Sequence, residues 1–212
     1  MDLAMAQRPL AESWRLIDSW LAKHVPSEFA LLNPPAPPEE IEGAERVLGV
    51  RLPGDLVESL LCHNGMSTWT TVFPEQSPLP VSGIVDQWRT CMEVAADNDG
   101  LTVRPWDDEP WWHPLWIPWA GSAGGSLQVI DLRAGPGEGR LGWAGHGGGG
   151  DFTESWPDLA SLLHAVAHAL HEGGGVGGLH PYLTSRGELW WDEPGSAELN
   201  GQPVTPAPLG VD

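Results

Sequence analysis

The sequence predicts an α+β fold: one domain in which a mixed or antiparallel sheet carries N-terminal helices and a C-terminal helix. Helical periodicity of apolar residues dominates the first hundred residues and returns over residues 156–172. Between these regions, "LWIPWA", "SLQVIDLR" and "RLGWAGH" are rich in β-forming residues and are separated by Gly-rich turns. Because strands joined by such short turns usually pair, the three segments are expected to form an antiparallel meander.

Four helices are predicted before the meander, each from apolar residues that recur every three or four positions. They cover residues 10–24, 37–48, 53–62 and 82–95. The third lies in "RLPGDLVESLLCHNG", beginning near Pro53 and ending at Gly65. Its Leu56, Leu60 and Leu61 are predicted to face inward. The glycine is expected to adopt a positive φ, a conformation that commonly ends helices.

The remaining segments are a strand, a loop, a hairpin and a tail. "STWTTVFP" (67–74) is predicted as the first strand because its residues favour extended backbone. An acidic, Trp-rich loop covers residues 97–114, and "YLTSRGELWW" is predicted as a late hairpin that turns at Arg186 and Gly187. Residues 194–212 are rich in Pro, Gly and Ala and are predicted to form a disordered tail.

Composition limits the class of partner. The formal net charge of −19 at pH 7 disfavours nucleic acids and anionic membrane surfaces, and it favours a basic protein. No uncharged apolar run is long enough to span a bilayer, and the N-terminal stretch lacks the apolar core of a secretory signal. Cys62 and Cys91 form no CxxC motif, which is typical of buried thiols in a reduced compartment. We therefore expect a cytoplasmic protein.

Tryptophan is expected to fill much of the core. The sequence has 13 Trp, against three Phe, four Met and one Tyr. Because a buried indole N–H needs a hydrogen-bond partner, several of these side chains are expected to lie partly exposed at grooves or rims.

Two patterns resemble reactive or metal sites. "AGSAG" around Ser122 is similar to the nucleophile elbow of a serine hydrolase, but an elbow needs a following helix. The residues after Ser122 predict a strand, so a hairpin turn is favoured. His164, His168 and His171 share a helix face with a spacing that could hold zinc, but this face lies opposite the leucine stripe, toward solvent. We expect no catalytic residue, no metal and no cofactor.

His63 and Asn64 stand where the third helix ends. The sequence shows no paired base and no third orienting group for them, and Gly65 follows at once. A helix stop is therefore the favoured interpretation of this polar pair, rather than an active site.

The acidic, Trp-rich loop is the predicted partner-binding surface. Its candidate residues are Asp97, Asp99, Trp106, Asp107, Asp108, Glu109, Trp111 and Trp112. Interfaces are enriched in tryptophan, and acidic side chains steer a basic partner toward them. The alternative is that some of these tryptophans cap the core from outside.

Two stretches resemble one protein family. "LLNPPAPPEEIEGAERVLGVRLPGDLVESLLCHNG" is similar to the N-terminal signature of the SUKH superfamily, the Smi–Knr type. "WIPWAGSAGGSLQVIDLRAGPGEGRLG" resembles its second signature, and "SWPDLASLL" stands where the last helix is expected. The resemblance implies a SUKH-like α+β domain over residues 8–193, in which Leu52, Pro53 and Gly65 set the fold.

The resemblance also implies a function without catalysis. Bacterial members look like immunity proteins that bind and neutralise a toxin, and the fungal member resembles a scaffold in cell-wall signalling. On this basis the chain is expected to be a non-enzymatic protein-binding module. Its expected partner is a toxin domain, a basic one given the charge; a regulatory scaffold is the alternative. A serine hydrolase that uses Ser122 is the remaining alternative.

Overall fold

The computed structural model describes residues 9–145, 147–153 and 156–210. These residues contain six α-helices and eight β-strands, joined by turns and loops. The predicted α+β class is confirmed. The helices are α1 (Leu10–His24), α2 (Pro26–Phe29), α3 (Pro38–Leu48), α4 (Gly54–Cys62), α5 (Val81–Asp97) and α6 (Leu159–His171). The strands are β1 (Ser77–Pro78), β2 (Trp116–Gly121), β3 (Leu127–Asp131), β4 (Leu141–Ala144), β5 (His180–Thr184), β6 (Leu189–Asp192), β7 (Glu198–Leu199) and β8 (Gln202–Pro206).

The first sheet has the order β1-β2-β3-β4 and is antiparallel; β2, β3 and β4 are the predicted meander, and β1 was not predicted. Ile117 pairs with Ile130, and Leu127 pairs with Ala144. All five residues of β3 are buried, and so are five of the six in β2. The near-continuous apolar runs of these strands are typical of a sheet covered on both faces, and α5 packs against β2.

The second sheet has the order β6-β5-β8-β7 and is also antiparallel. The hairpin β5–β6 is the one predicted, and Gly187 turns it with a φ of 75°. The structure differs from the predicted disorder of residues 194–212, because β7 and β8 form a hairpin that pairs with the free edge of β5. Val204 of β8 is buried, so this Pro-rich stretch has an anchor that composition did not reveal. Arg8, Val211 and Asp212 lie outside the described residues.

One large core joins the helices to both sheets. Trp14, Ile17 and Leu21 form the buried stripe of α1, which packs against α4 and α6. Leu56 and Leu60 of α4 are each 2% exposed, as predicted. Leu61 is 44% exposed, so the prediction that it faces inward is wrong. Because successive residues of an α-helix are rotated by about 100°, the Leu61 side chain points away from the face that Leu56 and Leu60 bury.

The segment 67–74 is not the predicted strand. It is an irregular stretch with one isolated bridge, between Phe73 and Gln76. Thr70, Val72 and Phe73 of this segment are nevertheless buried, the last two fully so. Side chains replace the missing ladder: the Trp191 indole N–H donates to the Val72 carbonyl at 3.2 Å, and the Thr71 hydroxyl donates to the Leu189 carbonyl. The segment therefore links the core to the second sheet.

Tryptophan does fill much of the core. Six tryptophans are buried: Trp14, Trp20, Trp112, Trp116, Trp119 and Trp191. Four of their indole N–H groups have partners, for example Trp119 to the Gln128 side chain at 2.9 Å and Trp20 to the Pro208 carbonyl at 2.8 Å. Trp69 and Trp106 are exposed, so the expectation of exposed tryptophans also holds. None of the helices in the described residues is long and apolar enough to cross a membrane.

Candidate functional site

The eight predicted binding residues divide into an anchored group and an exposed group. The anchored residues are Glu109, Trp111 and Trp112, which are buried or half-buried. The others are Asp97, Asp99, Trp106 and Asp108, which are exposed, and Asp107, which is half-buried. We refer to these five residues as the acidic face.

Glu109 is part of an ionic network that fixes the loop to the first sheet. Arg133 donates two hydrogen bonds to its carboxylate, at 2.6 and 2.9 Å, and also bonds to Asp131 at 2.7 and 2.8 Å. Arg140 reaches both carboxylates, at 3.4 and 3.2 Å. Burial alone would raise the pKa of Asp131, but its bonds to Arg133 and Arg140 outweigh that effect and lower it. The Glu109 carboxylate therefore has its partners within the fold.

Trp112 belongs to the core, in line with the alternative that some tryptophans of this loop cap the core. It is 1% exposed and contacts Trp116 edge-on, with ring centroids 6.0 Å apart. Its backbone N–H donates to the Gly100 carbonyl at 3.1 Å. Trp111, its neighbour, is half-buried against the same small cluster. These contacts hold the C-terminal half of the loop on the end of β2.

The glycine run 147–150 packs against this loop. A Cβ atom at Gly149 would lie 2.2 Å from the Glu109 carbonyl oxygen. The Gly150 N–H donates to the Pro110 carbonyl at 2.9 Å. Glycine is needed here because the two backbones approach too closely for a side chain.

The acidic face projects Trp106 beyond this anchored base. The Trp106 side chain is 77% exposed, the highest value among the large hydrophobic residues that the structure describes. No ion pair joins Asp97, Asp99, Asp107 or Asp108 to a cation within the described ranges. An exposed tryptophan beside uncompensated carboxylates has the composition of a surface for a basic partner.

His63 is a structural ion-pair residue at the end of α4. Its Nδ1 lies 3.0 Å from the Asn33 carbonyl oxygen, and its Nε2 lies 3.0 Å from both carboxylate oxygens of Asp18. The Trp14 ring packs against the imidazole edge-on, at 4.9 Å between centroids. The helix-stop interpretation therefore stands, but the expectation that His63 has no partner is wrong. Asp18 lies 45 residues away in α1, so no local pattern could reveal it.

Both nitrogens of His63 face oxygen acceptors, an arrangement that favours the doubly protonated imidazole over the neutral one. Burial lowers the pKa of His63, but the hydrogen bond and charge of Asp18 and the Asn33 carbonyl outweigh burial and raise it. Asn64 completes the junction, because its side-chain oxygen accepts from the Val81 N–H at 2.8 Å and its amide donates to Glu40 at 3.3 Å. The pair thus ties α4 to α1, α3 and α5.

We expect His63→Gln to lower the free energy of unfolding by roughly 1.5–3 kcal/mol at pH 6, the range of a hydrogen bond to a charged group. Since the folded pKa is raised, this contribution is fully present below the unfolded pKa of about 6.5 and is lost as pH rises through the folded pKa. Urea melts of both proteins from pH 5.5 to pH 9 should converge at the alkaline end. Asp18→Asn is the control, because it removes the same charge pair; a pH-independent difference would contradict the assignment.

Ser122 lies in the predicted hairpin turn, between β2 and β3. Its hydroxyl accepts a hydrogen bond from the Ser126 N–H at 3.0 Å, and its own N–H donates to the Ser126 carbonyl at 2.8 Å. No histidine or carboxylate of the described chain bonds to this hydroxyl. A strand follows the turn, as the sequence indicates, and not the helix that a nucleophile elbow requires.

The three histidines of α6 do not form a common solvent face. His168 is exposed and lies 3.3 Å from Glu172, and His164 is half-buried. His171 does not point into solvent, which corrects the prediction: its Nε2 lies 2.9 Å from the Leu16 carbonyl oxygen and its Nδ1 lies 3.1 Å from that of Gly210. Within the described ranges, no three His, Cys, Asp or Glu side chains group closely enough to hold a metal ion.

The structure also shows a surface that the sequence analysis missed, centred on Trp69. Three depressions of about 560, 390 and 470 Å³ all include this side chain in their linings. Trp69 is 43% exposed, and Trp190 of β6 lines the second and third depressions. Adjacent tryptophans in a strand face opposite sides, so "LWWD" already implied that one of the pair lies away from the core.

The sequence of this chain is similar to a family model and to a curated protein. The model of the SMI1/KNR4 family (SUKH-1) matches residues 35–164, which include α3 to α5, the first sheet and the start of α6. A cell wall biosynthesis and cell cycle regulator, smi1 of Schizosaccharomyces pombe, is 27% identical over 147 residues. That alignment covers 60% of this chain and 29% of the relative, so the chain spans less than a third of the relative's length. The second sheet lies outside the family match.

Proposed function

Because the chain belongs to the SMI1/KNR4 family (SUKH-1), we propose that it is a non-catalytic, cytoplasmic protein-binding module whose partner is basic. In its most concrete form, it is an immunity-type protein that binds and neutralises a toxin domain. The family and the regulator among its relatives support a regulatory or binding role. The charge of −19 supports a basic partner and disfavours nucleic acids and anionic membranes.

The observation that carries this proposal is the acidic face. The Trp106 indole is 77% exposed, so it has no role in the core, and Asp107 and Asp108, which follow it in the sequence, have no ion-pair partner in the described chain. Acidic side chains increase the rate of encounter with a basic protein, and a central tryptophan supplies contact area once the complex forms. The ionic network of Glu109 with Arg133 anchors the chain just after Asp108, and a loop that is anchored before binding loses less entropy on binding.

A regulatory scaffold is the second candidate, favoured by the similarity to a cell wall biosynthesis and cell cycle regulator. The two functions differ in the consequence of binding. An immunity protein abolishes the activity of its partner and protects a cell that expresses it. A scaffold leaves the partner active, and its loss changes where or when the partner acts.

The partner can be captured by placing a photo-crosslinking amino acid at position 106, with position 47 as the control site. Val47 is 40% exposed on α3, so it reports nonspecific capture. A basic protein that crosslinks at position 106 and not at position 47 is the expected result. An acidic or neutral partner, or equal capture at both positions, would contradict the proposal.

With the purified partner, Asp97→Asn, Asp107→Asn and Asp108→Asn together should lower the association rate by roughly tenfold at low salt. Exposed charges are screened beyond about 8 Å at physiological ionic strength, so the loss should shrink as salt rises. Stopped-flow or surface-based kinetics at several salt concentrations measure both effects. Glu109 is excluded from this variant, because its removal would disturb the ionic network.

The matched control replaces Glu39, Glu42 and Glu172 by glutamine, which changes the net charge by the same amount at other exposed positions. An equal loss in this control would show that total charge, and not the acidic face, governs association. Ser122→Ala should bind and act as the wild type does. A folded Ser122→Ala protein that loses its activity would overturn the non-catalytic assignment.

A further inference from the structure

Glu28 is a buried carboxylate with an unsatisfied oxygen. The residue lies in α2 and is 7% exposed. Its Oε1 accepts a hydrogen bond from the Leu189 N–H at 2.9 Å, whereas its Oε2 is buried without any hydrogen-bond partner. Buried carboxylates in folded proteins are nearly always paired or fully hydrogen-bonded, so this oxygen requires an explanation.

Glu28 lines one of the depressions around Trp69, a pocket of about 390 Å³ between α2 and β6. Other lining residues include Leu31, Trp69, Thr71, Glu188 and Trp190. The volume falls within the range of sites that bind small ligands or single side chains. Two indole rings and a leucine give the pocket apolar surface, and two carboxylates are its ionisable groups.

The charge of this pocket is uncompensated. Within the described residues, no lysine, arginine or histidine forms an ion pair with Glu28 or Glu188. Glu188 is exposed, and its carboxylate accepts only the Thr184 hydroxyl, at 3.3 Å. Two nearby carboxylates without a counter-ion repel each other, and a bound cation would relieve that repulsion.

We propose that this pocket receives a cationic side chain of a partner protein, arginine in preference to lysine. The guanidinium enters beside Glu188 and Glu28, and a turn of the Glu28 side chain toward the pocket presents its buried Oε2 to the guanidinium. The aliphatic stem lies against Trp69 and Trp190. Arginine fits because its planar head stacks on indole rings and is weakly hydrated, so it enters a partly apolar pocket at a lower desolvation cost. A charge-assisted hydrogen bond then satisfies the orphan oxygen.

This site goes beyond the acidic face and is spatially separate from it. The acidic face lies near Trp116, where the loop enters β2, whereas Ser122, just after the other end of β2, lines two depressions that include Trp69. The length of the strand places its ends roughly 17 Å apart. One basic partner could contact both surfaces, yet each can be tested alone.

The test is a titration of the full chain, with ¹⁵N-labelled indoles, by N-acetyl-argininamide. The indole signals of Trp69 and Trp190 are expected to shift and saturate, and that of Trp106 to stay in place. N-acetyl-citrullinamide, which has the same shape without the charge, should shift them much less, and N-acetyl-lysinamide should bind more weakly than the arginine compound. Assignment uses Trp69→Phe and Trp190→Phe.

Glu28→Gln should weaken binding of the arginine compound at least tenfold, since the neutral amide keeps its acceptor for Leu189 but loses the charge. The matched control is Glu75→Gln, which removes an acid from the adjoining depression and should bind as the wild type does. Burial and the charge of Glu188 raise the pKa of Glu28 to about 7, with the Leu189 hydrogen bond opposing them. The wild type should therefore bind more tightly at pH 8 than at pH 6.

Equal shifts with the arginine and citrulline compounds would overturn the proposal, and this comparison needs no variant. So would unchanged affinity in a folded Glu28→Gln protein. The Asp97→Asn, Asp107→Asn, Asp108→Asn variant should bind the arginine compound normally. Failure of the pocket and failure of the acidic face are therefore distinguishable, because each has its own variant and its own readout.

Discussion

Gly65→Ala is expected to lower the free energy of unfolding by more than about 4 kcal/mol, the range reached only by severe steric or packing defects. Gly65 has a φ of 61°, as the sequence indicated. An added Cβ would lie 2.3 Å from the Leu79 carbonyl carbon and 2.4 Å from the Pro80 nitrogen. Both contacts are with backbone, which cannot rotate away as a side chain can. Urea unfolding followed by circular dichroism measures the loss.

Gly49→Ala is the matched control for this prediction. Gly49 also has a positive φ, 72°, at the end of α3, but no atom lies within 4 Å of an added Cβ. The control should therefore show only the conformational cost of a left-handed residue, about 1–2 kcal/mol. The difference between the two variants isolates the close approach of Gly65 to the Leu79–Pro80 backbone. Equal losses would contradict that packing argument.

The second large effect is a fall in stability of roughly 3 kcal/mol between pH 4.5 and pH 8, caused by Glu28. Burial raises the pKa of Glu28 to about 7 in the folded protein, from 4.5 in the unfolded chain. The folded state therefore keeps a proton that the unfolded state releases. The resulting stability is fully present below pH 4.5 and is lost as pH rises through about 7.

Glu28→Gln should flatten this part of the stability profile and make the protein more stable than the wild type at pH 8. Chemical denaturation at half-unit intervals of pH gives the profile. The contribution of His63 to stability also falls as pH rises, but the fall begins only above the unfolded histidine pKa of about 6.5. The pH profiles of His63→Gln and Glu28→Gln therefore separate the two residues. A Glu28→Gln profile parallel to the wild type would contradict the assignment.

Periodicity predicted the elements whose contacts are local or repeat along the chain. The leucine stripes placed α4 and α6 correctly, and the turns at Ser122 and Gly187 placed the hairpins β2–β3 and β5–β6. The paired signatures also indicated the family correctly. What periodicity could not predict is where an element goes when its partners are distant. Residues 67–74 have strand composition, but their hydrogen bonds reach Trp191 and Leu189 through side chains, so no ladder forms.

The predicted site shows the same division. An acidic loop with exposed tryptophan could be predicted from composition, and Trp106 with its neighbouring aspartates fits that prediction. Glu109 could not be separated from the other acids, because its arginine partners lie 24 and 31 residues away in the chain. Glu28 gave no local signal, since its burial results from β6, 161 residues later. Only Trp190, beside Trp191, carried a detectable sign of the missed surface.

The hydrogen bonds that close α1 and α2 against residues 171–210 have a consequence for the order of folding. Trp20 bonds to Pro208, Leu16 to His171 and Glu28 to Leu189, over separations of 188, 155 and 161 residues. Contacts this distant in sequence form slowly, because the intervening chain must first be brought together. During translation the apolar stripe of α1 therefore stays partly uncovered until α6, which packs against it, has left the ribosome. This interval is when a nascent chain is most exposed to aggregation and to chaperone capture.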